Sequence, residues 1–405
     1  MSESPIWHPF TQHGLGEPIP LVERAEGAAL YTADGRRIVD AISSWWVTTH
    51  GHCHPRIMQA IRRQTERLDQ LIFAGWTHEP AEEVAAGLRA IMPPSLTRVF
   101  FSDSGSTAVE VALKMALGFF ANRGEDRHRI VVMEHSYHGD TIGAMSVGAR
   151  GVFNAAYAPL LFDVARVPFP AEDPQATLDA LERECAAGAA AFIVEPLVLG
   201  AGGMLIYPPE LFIADEVMTG WGRTGTLLAC EQAGVVPDLL CLSKGLTGGA
   251  LPLAVTMASE PIWEAHHSQD RAKTFFHSSS YTANPIACAA AAANLAIWRE
   301  EPVIERVQAL TGRIENRLKA LAGHSAVSNP RQCGTIAALE LGAGEGSYLS
   351  DLGPRLLARF REVNLLLRPL GNTVYAMPPY CIEDSDLDAI WSAIAEAADW
   401  VATLD

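Results

Sequence analysis

No run of basic residues occurs anywhere in the sequence. Lys and Arg number 30 against 47 Asp and Glu, which leaves a formal net charge of -17. Nucleic acid and anionic membrane surfaces are bound by clustered cations, so this balance excludes both as general partners. Long unbroken apolar runs are also scarce. The stretch AAGAAAFIVEPLVLGAGGMLI is interrupted by Glu195-Pro196, and ACAAAAANLAIW falls short of the roughly 20 residues that a membrane-spanning helix needs. The opening MSESPIWHPF has neither the basic stretch nor the apolar core that directs export, and the seven cysteines are odd in number with no CxxC spacing. The expectation is a cytoplasmic protein with reduced thiols and no disulfide framework. Fixed-period repeats and low-complexity linkers are missing as well.

What is present is an alternation. Short apolar runs end in polar or glycine-rich turns and are separated by helical patterns: RVFF before SDSGS, RIVVM before EHSYHGDT, then AAFIVEP, LFIADEV and LLCLSK. That order predicts an α/β protein with a mostly parallel central sheet, and 405 residues at 49% hydrophobic content leave room for a second domain. After SDSGS, Val109, Leu113, Ala116, Leu117 and Phe120 share one helical face, with Thr107 and Glu110 at capping-box spacing. Asn284-Pro285 reads as the cap and first turn of a buried, alanine-rich helix. From Val303 the pattern changes to long amphipathic helices (Val303, Val307, Leu310, Ile314, Leu318, Leu321). Strand-like TIAALEL, LLLRPL and TVYAM follow, with Gly371-Asn372 as a hairpin turn between the last two. The division this predicts is an N-terminal segment over 1–50 contributing to a small domain and to the active site, a large domain over 51–300, and an α+β small domain over 301–405.

One connection is too short. The strands ending at Glu195 and Asp215 are expected to be parallel neighbours or near neighbours, yet LVLGAGGMLIYPPELFIA has no room for a crossover helix. A helix is therefore expected to be missing near Pro209 to Leu211.

Chemistry is expected in the turns, because open parallel sheets bind ligands beyond the carboxyl ends of their strands. Lys244 leaves LLCLSK at that edge. Alone, it reads as a nucleophile, a phosphate contact or simply the place where the chain meets water. The run LFIA delivers Asp215 and Glu216 to the same edge, and an amine facing a carboxylate there is the arrangement of a Schiff-base lysine with the partner of a pyridinium nitrogen. A phosphate-binding P-loop would place its glycines before the lysine, whereas here they follow it. Ser104, Gly105, Ser106 and Thr107 open a helix with N–H groups and hydroxyls suited to a phosphate dianion, and Tyr137 can stack on a planar ring. Each feature has a plain structural reading as well: a strand-end lysine, surface carboxylates, a helix cap. Their succession on neighbouring strand ends is what favours a common ligand. HGHCHP lacks the partners for a tetrahedral site, so no metal is expected, and LGAGEG misses the third glycine of a dinucleotide fingerprint and reads as a loop.

The motifs IWHPFTQ, SSWWVTTHGHCHP, FFSDSGSTAVEVALKMAL, SYHGDTIGAMSV, GAGGM, IADEVMTGWGRTG, LCLSKGLTGG, TANP and LRPLG followed by MPPY extend over nearly the whole chain. With them the sequence resembles the class III aminotransferases of PLP fold type I. WHPFTQ, SSWW and YHGD narrow the resemblance to the branch that makes 7,8-diaminononanoate in biotin biosynthesis. The resemblance implies pyridoxal 5'-phosphate as cofactor, S-adenosylmethionine as amino donor, 8-amino-7-oxononanoate as acceptor, and a homodimer with shared active sites. Carried over by residue, it implies that Lys244 holds the cofactor, Asp215 pairs with its ring nitrogen, Gly105 and Ser106 hold its phosphate and Tyr137 covers its ring. Ser280, in HSSSY, would reach the phosphate of the other subunit's cofactor. Arg368 in LLLRPLG is suited to a carboxylate, and Trp7, Phe10, Trp45, Trp46 and Tyr375 to an aliphatic slot, with ordinary core packing as the competing reading of the aromatics. Phe10 stands where the family usually has tyrosine. Asp140 stands where many of the wider class have arginine; it marks the amino donor directly or by pairing with Arg223, or else forms a supporting salt bridge. Lysine as donor, another ω-amino acid or diamine substrate, an aminomutase reaction and a non-catalytic cofactor-binding role stay open at this level.

Overall fold

The computed structural model describes residues 4–170, 173–207, 213–342 and 350–404. Its large sheet contains β1 (Leu96–Ser102), β2 (Ile130–Met133), β3 (Ala165–Val167), β4 (Ala191–Val194), β5 (Ile213–Asp215), β6 (Leu239–Leu242) and β7 (Ala254–Ser259). The order across the sheet is β1-β7-β6-β5-β4-β2-β3. Strand β7 runs antiparallel to both of its neighbours and the remaining pairings are parallel. Helices cover both faces, which is why β2, β5, β6 and β7 are buried at every residue and read as continuous apolar runs.

Among the helices are α1 (Pro55–Thr65), α2 (Glu79–Ile91), α3 (Gly105–Arg123), α4 (Pro174–Ala186), α5 (Pro285–Glu300), α6 (Val303–Leu321), α7 (Leu352–Glu362) and α8 (Asp384–Ala402). Val109, Ala112 and Ala116 of α3 pack with Ile130, Ile193 and Ile213 on one face of the sheet. Leu88 of α2 and Ala287, Ala291 and Leu295 of α5 pack with Ala214, Leu240 and Leu242 on the other. The cap of α3 differs from the expected pair. Ser104 and Thr107 form the capping box, while Glu110 turns outward to accept from Thr141 Oγ1 and the Gly143 N–H. Ser104 wins because it alone is in extended backbone, where its hydroxyl can meet the free N–H groups of the first turn.

β4 and β5 are parallel neighbours, Ile193 lying opposite Ile213. The described part of their connection is a small hairpin, Val198–Leu199 paired with Leu205–Ile206. The helix expected to be missing near Pro209 to Leu211 falls outside the described residues.

The C-terminal part forms an antiparallel sheet of Val327–Cys333, Ile336–Leu341 and Thr373–Ala376. Val307, Leu310 and Ile314 of α6 share its core with Leu387, Ile390 and Ile394 of α8. The N-terminal strands Val22–Glu26, Ala29–Thr32 and Arg37–Asp40 are joined by Leu365–Leu366, which runs parallel to Arg37–Asp40. The turn at Gly371-Asn372 forms, since Leu370 and Thr373 exchange backbone hydrogen bonds across it. Its flanks do not form the expected hairpin: Leu365–Leu366 pairs with the N-terminal sheet and Thr373–Ala376 with Ile336–Leu341.

Asn284 caps α5, its Oδ1 accepting from the N–H groups of Ile286 and Ala287 at 3.1 Å while Nδ2 donates to Asp69 O. Asn284→Ala is expected to lower stability by about 1–2 kcal/mol in urea denaturation, and Asn284→Asp, which keeps the acceptor, by less.

Candidate active site

Asp215 lies opposite Cys241 on parallel strands β5 and β6, so Asp215 and Lys244 leave the sheet at the same edge. Because β7 is antiparallel to both β6 and β1, β1 points the same way as β6, and the SDSGS turn emerges at that edge too. The loop after β2 carries Tyr137 and His138, and β4 ends just before Glu195.

Lys244 has a left-handed backbone, φ 44, uncommon for a residue with a side chain. Its Nζ stands 4.7 Å from the centre of the Trp46 ring. Its side chain keeps a partial opening to the cleft, yet the surrounding protein removes most of its water. That burial pushes the ammonium down from 10.5 to about 8, with the carboxylates of Asp215 and Glu195 partly opposing the shift. Trp46 is held by its Nε1–H, which donates to the Tyr375 hydroxyl at 3.0 Å. The SSWW segment is tightly wound, with Ser43, Ser44 and Trp46 all at positive φ, and the buried Asp40 carboxylate secures it by accepting from the Ile42 and Ser44 N–H groups. Strain of this kind collects where a side chain has to be aimed.

Asp215 is 4% exposed. His138 Nδ1 lies 2.7 Å from its Oδ2, and the Val217 N–H donates to its Oδ1 at 3.1 Å. Glu216 faces away and accepts from Thr219, Ala229 and Cys230, so only the first of the two adjacent acids joins the site. Glu195 accepts from the Tyr137 N–H at 2.9 Å and the Gly200 N–H at 3.0 Å, tying two walls of the cleft together; burial lifts its carboxyl to about 7. Burial first, and the Asp140 carboxylate next, push the Tyr137 phenol up. His138 and Glu195 were not singled out from the sequence. The signal for His138 was its place beside Tyr137 in SYHGD, and for Glu195 its place at the end of an apolar strand.

At the start of α3, backbone space is confined. A Cβ on Gly105 would meet Val217 Cγ1 at 2.6 Å, and one on Gly139 would run into Ser106. Ser106 Oγ accepts from the Asp140 N–H at 3.2 Å. Phe10, Trp45, Trp46, Tyr137, Arg368 and Tyr375 line one mostly apolar cavity of 260 Å³. Arg368 donates to Phe10 O at 2.6 Å from its wall. Asp140 lies in an adjoining cavity of 430 Å³ that shares Tyr137, Phe153, Ala201 and Leu370 with the first.

Some expected residues stand elsewhere. Trp7 is 89% exposed and outside this wall. Ser280 is exposed, its carbonyl accepting from Gln70 Nε2. Arg223 does not pair with Asp140: its guanidinium is buried, donates to Pro378 O and Thr48 O, and lies over the Tyr380 ring at 5.0 Å. The SYHGD aspartate is exposed, whereas the GRTG arginine is enclosed, so the two cannot meet without unburying a guanidinium. Of the HGHCHP histidines, His50 goes to Asn294 and His52 to Asp40, while His54 stays beside His50 with ring centres 5.9 Å apart.

The family model for aminotransferase class-III matches residues 11–398. The chain belongs to that family. This class-III aminotransferase is 48% identical to the adenosylmethionine-8-amino-7-oxononanoate aminotransferase of Synechococcus elongatus, over 97% of this chain and 98% of the relative. It is 39% identical to the protein of the same name from Nitratidesulfovibrio vulgaris, over 95% of this chain and 78% of the relative. The Synechococcus match runs over 419 residues, more than the 405 of this chain, so that relative carries residues with no counterpart here. Among solved structures, the Methanocaldococcus jannaschii enzyme of that name superposes with a TM-score of 0.93 at 32% identity, covering 98% of this chain and 97% of its own. A PLP-bound amine transaminase from an uncultivated Pseudomonas species gives 0.91 at 30% identity, covering 98% and 99%. That neighbour holds PLP, and the residues here fit such a group: a desolvated amine, a carboxylate beside it, and a helix start too confined for a Cβ.

In the cofactor-free aminotransferase the amine at 244 is a liability for folding. The unfolded lysine keeps its proton up to 10.5 and the folded one releases it at about 8, so its contribution to stability rises as pH increases through that window and is least favourable below it. Lys244→Met is expected to be more stable than the parent at pH 7 by up to about 3 kcal/mol, with the difference shrinking toward pH 10 when both are unfolded by urea.

Proposed function

We propose that this aminotransferase binds pyridoxal 5'-phosphate and moves the amino group of S-adenosylmethionine to 8-amino-7-oxononanoate, giving 7,8-diaminononanoate in biotin biosynthesis. The observation that carries the reading is the desolvated Lys244 amine sharing a sheet edge with Asp215, beside an apolar slot bordered by Arg368. The names of the relatives supply the substrates. When bound, the cofactor supplies an electron sink for breaking a substrate Cα–H bond.

The protein's own groups divide the remaining work. Lys244, with its pKa brought to about 8, keeps a sizeable neutral fraction near pH 7.5 and can both link to the cofactor and move the Cα proton. Asp215, held by His138 and the Val217 N–H, keeps a proton on the ring nitrogen. Gly105 and Ser106 receive the phosphate, and Tyr137 covers the ring. Arg368 takes the acceptor's carboxylate while Phe10, Trp45, Trp46 and Tyr375 flank its chain. Asp140, exposed beside Tyr137, faces the cationic donor without help from Arg223.

We further infer a homodimer in which Ser280 serves the neighbouring site. Its support is the exposure of large apolar residues around that segment, Phe276 at 71% and Tyr281 at 63%, together with Ile72 at 66% and Trp76 at 65%. The segment over 1–50 is assigned to the small domain and active site, 51–300 to the cofactor domain, and 301–405 to the small domain. Among the described residues no helix is long and apolar enough to cross a membrane, and we assign the protein to the cytoplasm.

The test mixes the PLP-loaded protein separately with adenosylmethionine and with lysine, then adds 8-amino-7-oxononanoate, while the visible spectrum is followed. Adenosylmethionine is expected to remove the cofactor's visible band and the oxo acid to restore it. Conversion by lysine alone would transfer the assignment to a lysine-using enzyme, and conversion by neither would reject it. Lys244→Ala is expected to lose more than about 10³-fold in turnover. Asp140→Asn should raise the KM for adenosylmethionine about tenfold and leave that of the oxo acid unchanged; an unaltered donor preference and turnover would remove Asp140 from the site.

A further inference from the structure

We infer that His50 and Asn294 are positioning residues for Lys244, acting through the backbone of the turn that carries it. Asn294 lies in the middle of α5 and is fully buried. Its Nδ2 donates to Gly245 O and to Leu246 O, each at 3.0 Å, and these are the carbonyls immediately after Lys244. Its Oδ1 is 3.0 Å from His50 Nε2. Both amide protons are committed to carbonyls, so Oδ1 can only accept, and His50 must carry its proton on Nε2. The two carbonyls and the histidine N–H together set which way round the amide lies. Reversed, Asn294 would turn an oxygen toward two carbonyl oxygens.

The turn needs such a hold. Lys244 sits at φ 44, a left-handed conformation that is unfavourable for a side-chain-bearing residue and persists only where surrounding contacts impose it. Gly245 follows with no space for a side chain, because a Cβ would lie 2.7 Å from Trp221 Cβ. The turn is thus clamped between the Trp221 side chain and the Asn294 amide. His50 is itself packed edge-on against Trp298 and Tyr380, with ring centres 5.7 and 6.3 Å away. Burial, with the neighbouring His54, holds its pKa down to about 4, so it stays a neutral donor through the physiological range. A change at position 50 therefore reaches the reactive amine through one side chain and two carbonyls.

This inference rests on Lys244 as the cofactor-linked amine. The experiment uses PLP-loaded protein and measures kcat, the KM of each substrate and cofactor content for Asn294→Asp, His50→Leu and His50→Gln, with Lys244→Ala as reference. Asn294→Asp retains the acceptor for His50 but opposes the carbonyls with oxygen, and His50→Leu removes the donor. Each is expected to lose about 10- to 100-fold in kcat, as for a reacting group displaced by about 1 Å, with KM values and cofactor content near those of the parent. His50→Gln, which restores an N–H donor, is expected to recover kcat to within a few-fold. Parental kcat in His50→Leu, or equal damage in His50→Gln and His50→Leu, would overturn the inference; the histidine pair decides if Asn294→Asp fails to fold. Full activity in Lys244→Ala would instead overturn the functional reading on which it stands.

Discussion

An ammonium that has been taken out of water is the constraint around which this molecule is organised. A lysine in an ordinary setting keeps its charge in solvent, and lowering its pKa toward neutrality requires apolar bulk on several sides. That bulk comes from distant parts of the chain: Trp46 near the N-terminus, Tyr375 near the C-terminus, and the strands of the large sheet between them. The N-terminal strands and Leu365–Leu366 are paired in one small sheet, and this brings the Trp46 and Tyr375 walls to the edge where Lys244 emerges. Fold and reactivity are therefore one problem, since the same packing that completes the core also tunes the amine.

Much of the large domain was legible in the residues. Strands β1, β2, β4, β5 and β6 announce themselves as apolar runs that stop at a polar or glycine-rich turn. Strand β3 escaped because it has only three residues with an exposed arginine in its centre, and β7 because it ends without a turn signal, its Ser259 leading directly into Glu260-Pro261. The same two kinds of information separated in the C-terminal part. Local turn chemistry at Gly371-Asn372 was read correctly, but the partners of the strands beside it depend on the far end of the chain, which no local pattern encodes. LGAGEG lies mostly outside the described residues.

The site was legible where an element ends and obscure where the groups act on one another. Lys244, Asp215 and Gly105 each stand at a boundary between apolar strand and turn. His138 and Glu195 stand at similar boundaries, but their relation to Asp215 and Tyr137 exists only after three strands have aligned. The Asp140–Arg223 pairing failed for a physical reason: the sequence gives charge and leaves burial unstated, and one of the two groups is enclosed while the other faces solvent. The four lysines of the sequence offered a clue that composition alone makes visible, because a chain that uses Arg almost everywhere for its cations leaves few candidates for a titratable amine.

The antiparallel strand β7 has a consequence in time. It is inserted between β1 and β6, so residues 96–102 can complete their hydrogen bonds only with residues 254–259. On a ribosome, β1 waits with its long edge unpaired while some 150 further residues are made, at roughly 5–20 residues per second, a delay of about 8 to 30 seconds. An exposed edge of this kind is open to pairing with other chains until its partner arrives. The order of synthesis thus leaves the first strand of the sheet among the last to be satisfied, and the yield of folded protein in a cell depends on what shelters that edge in the interval.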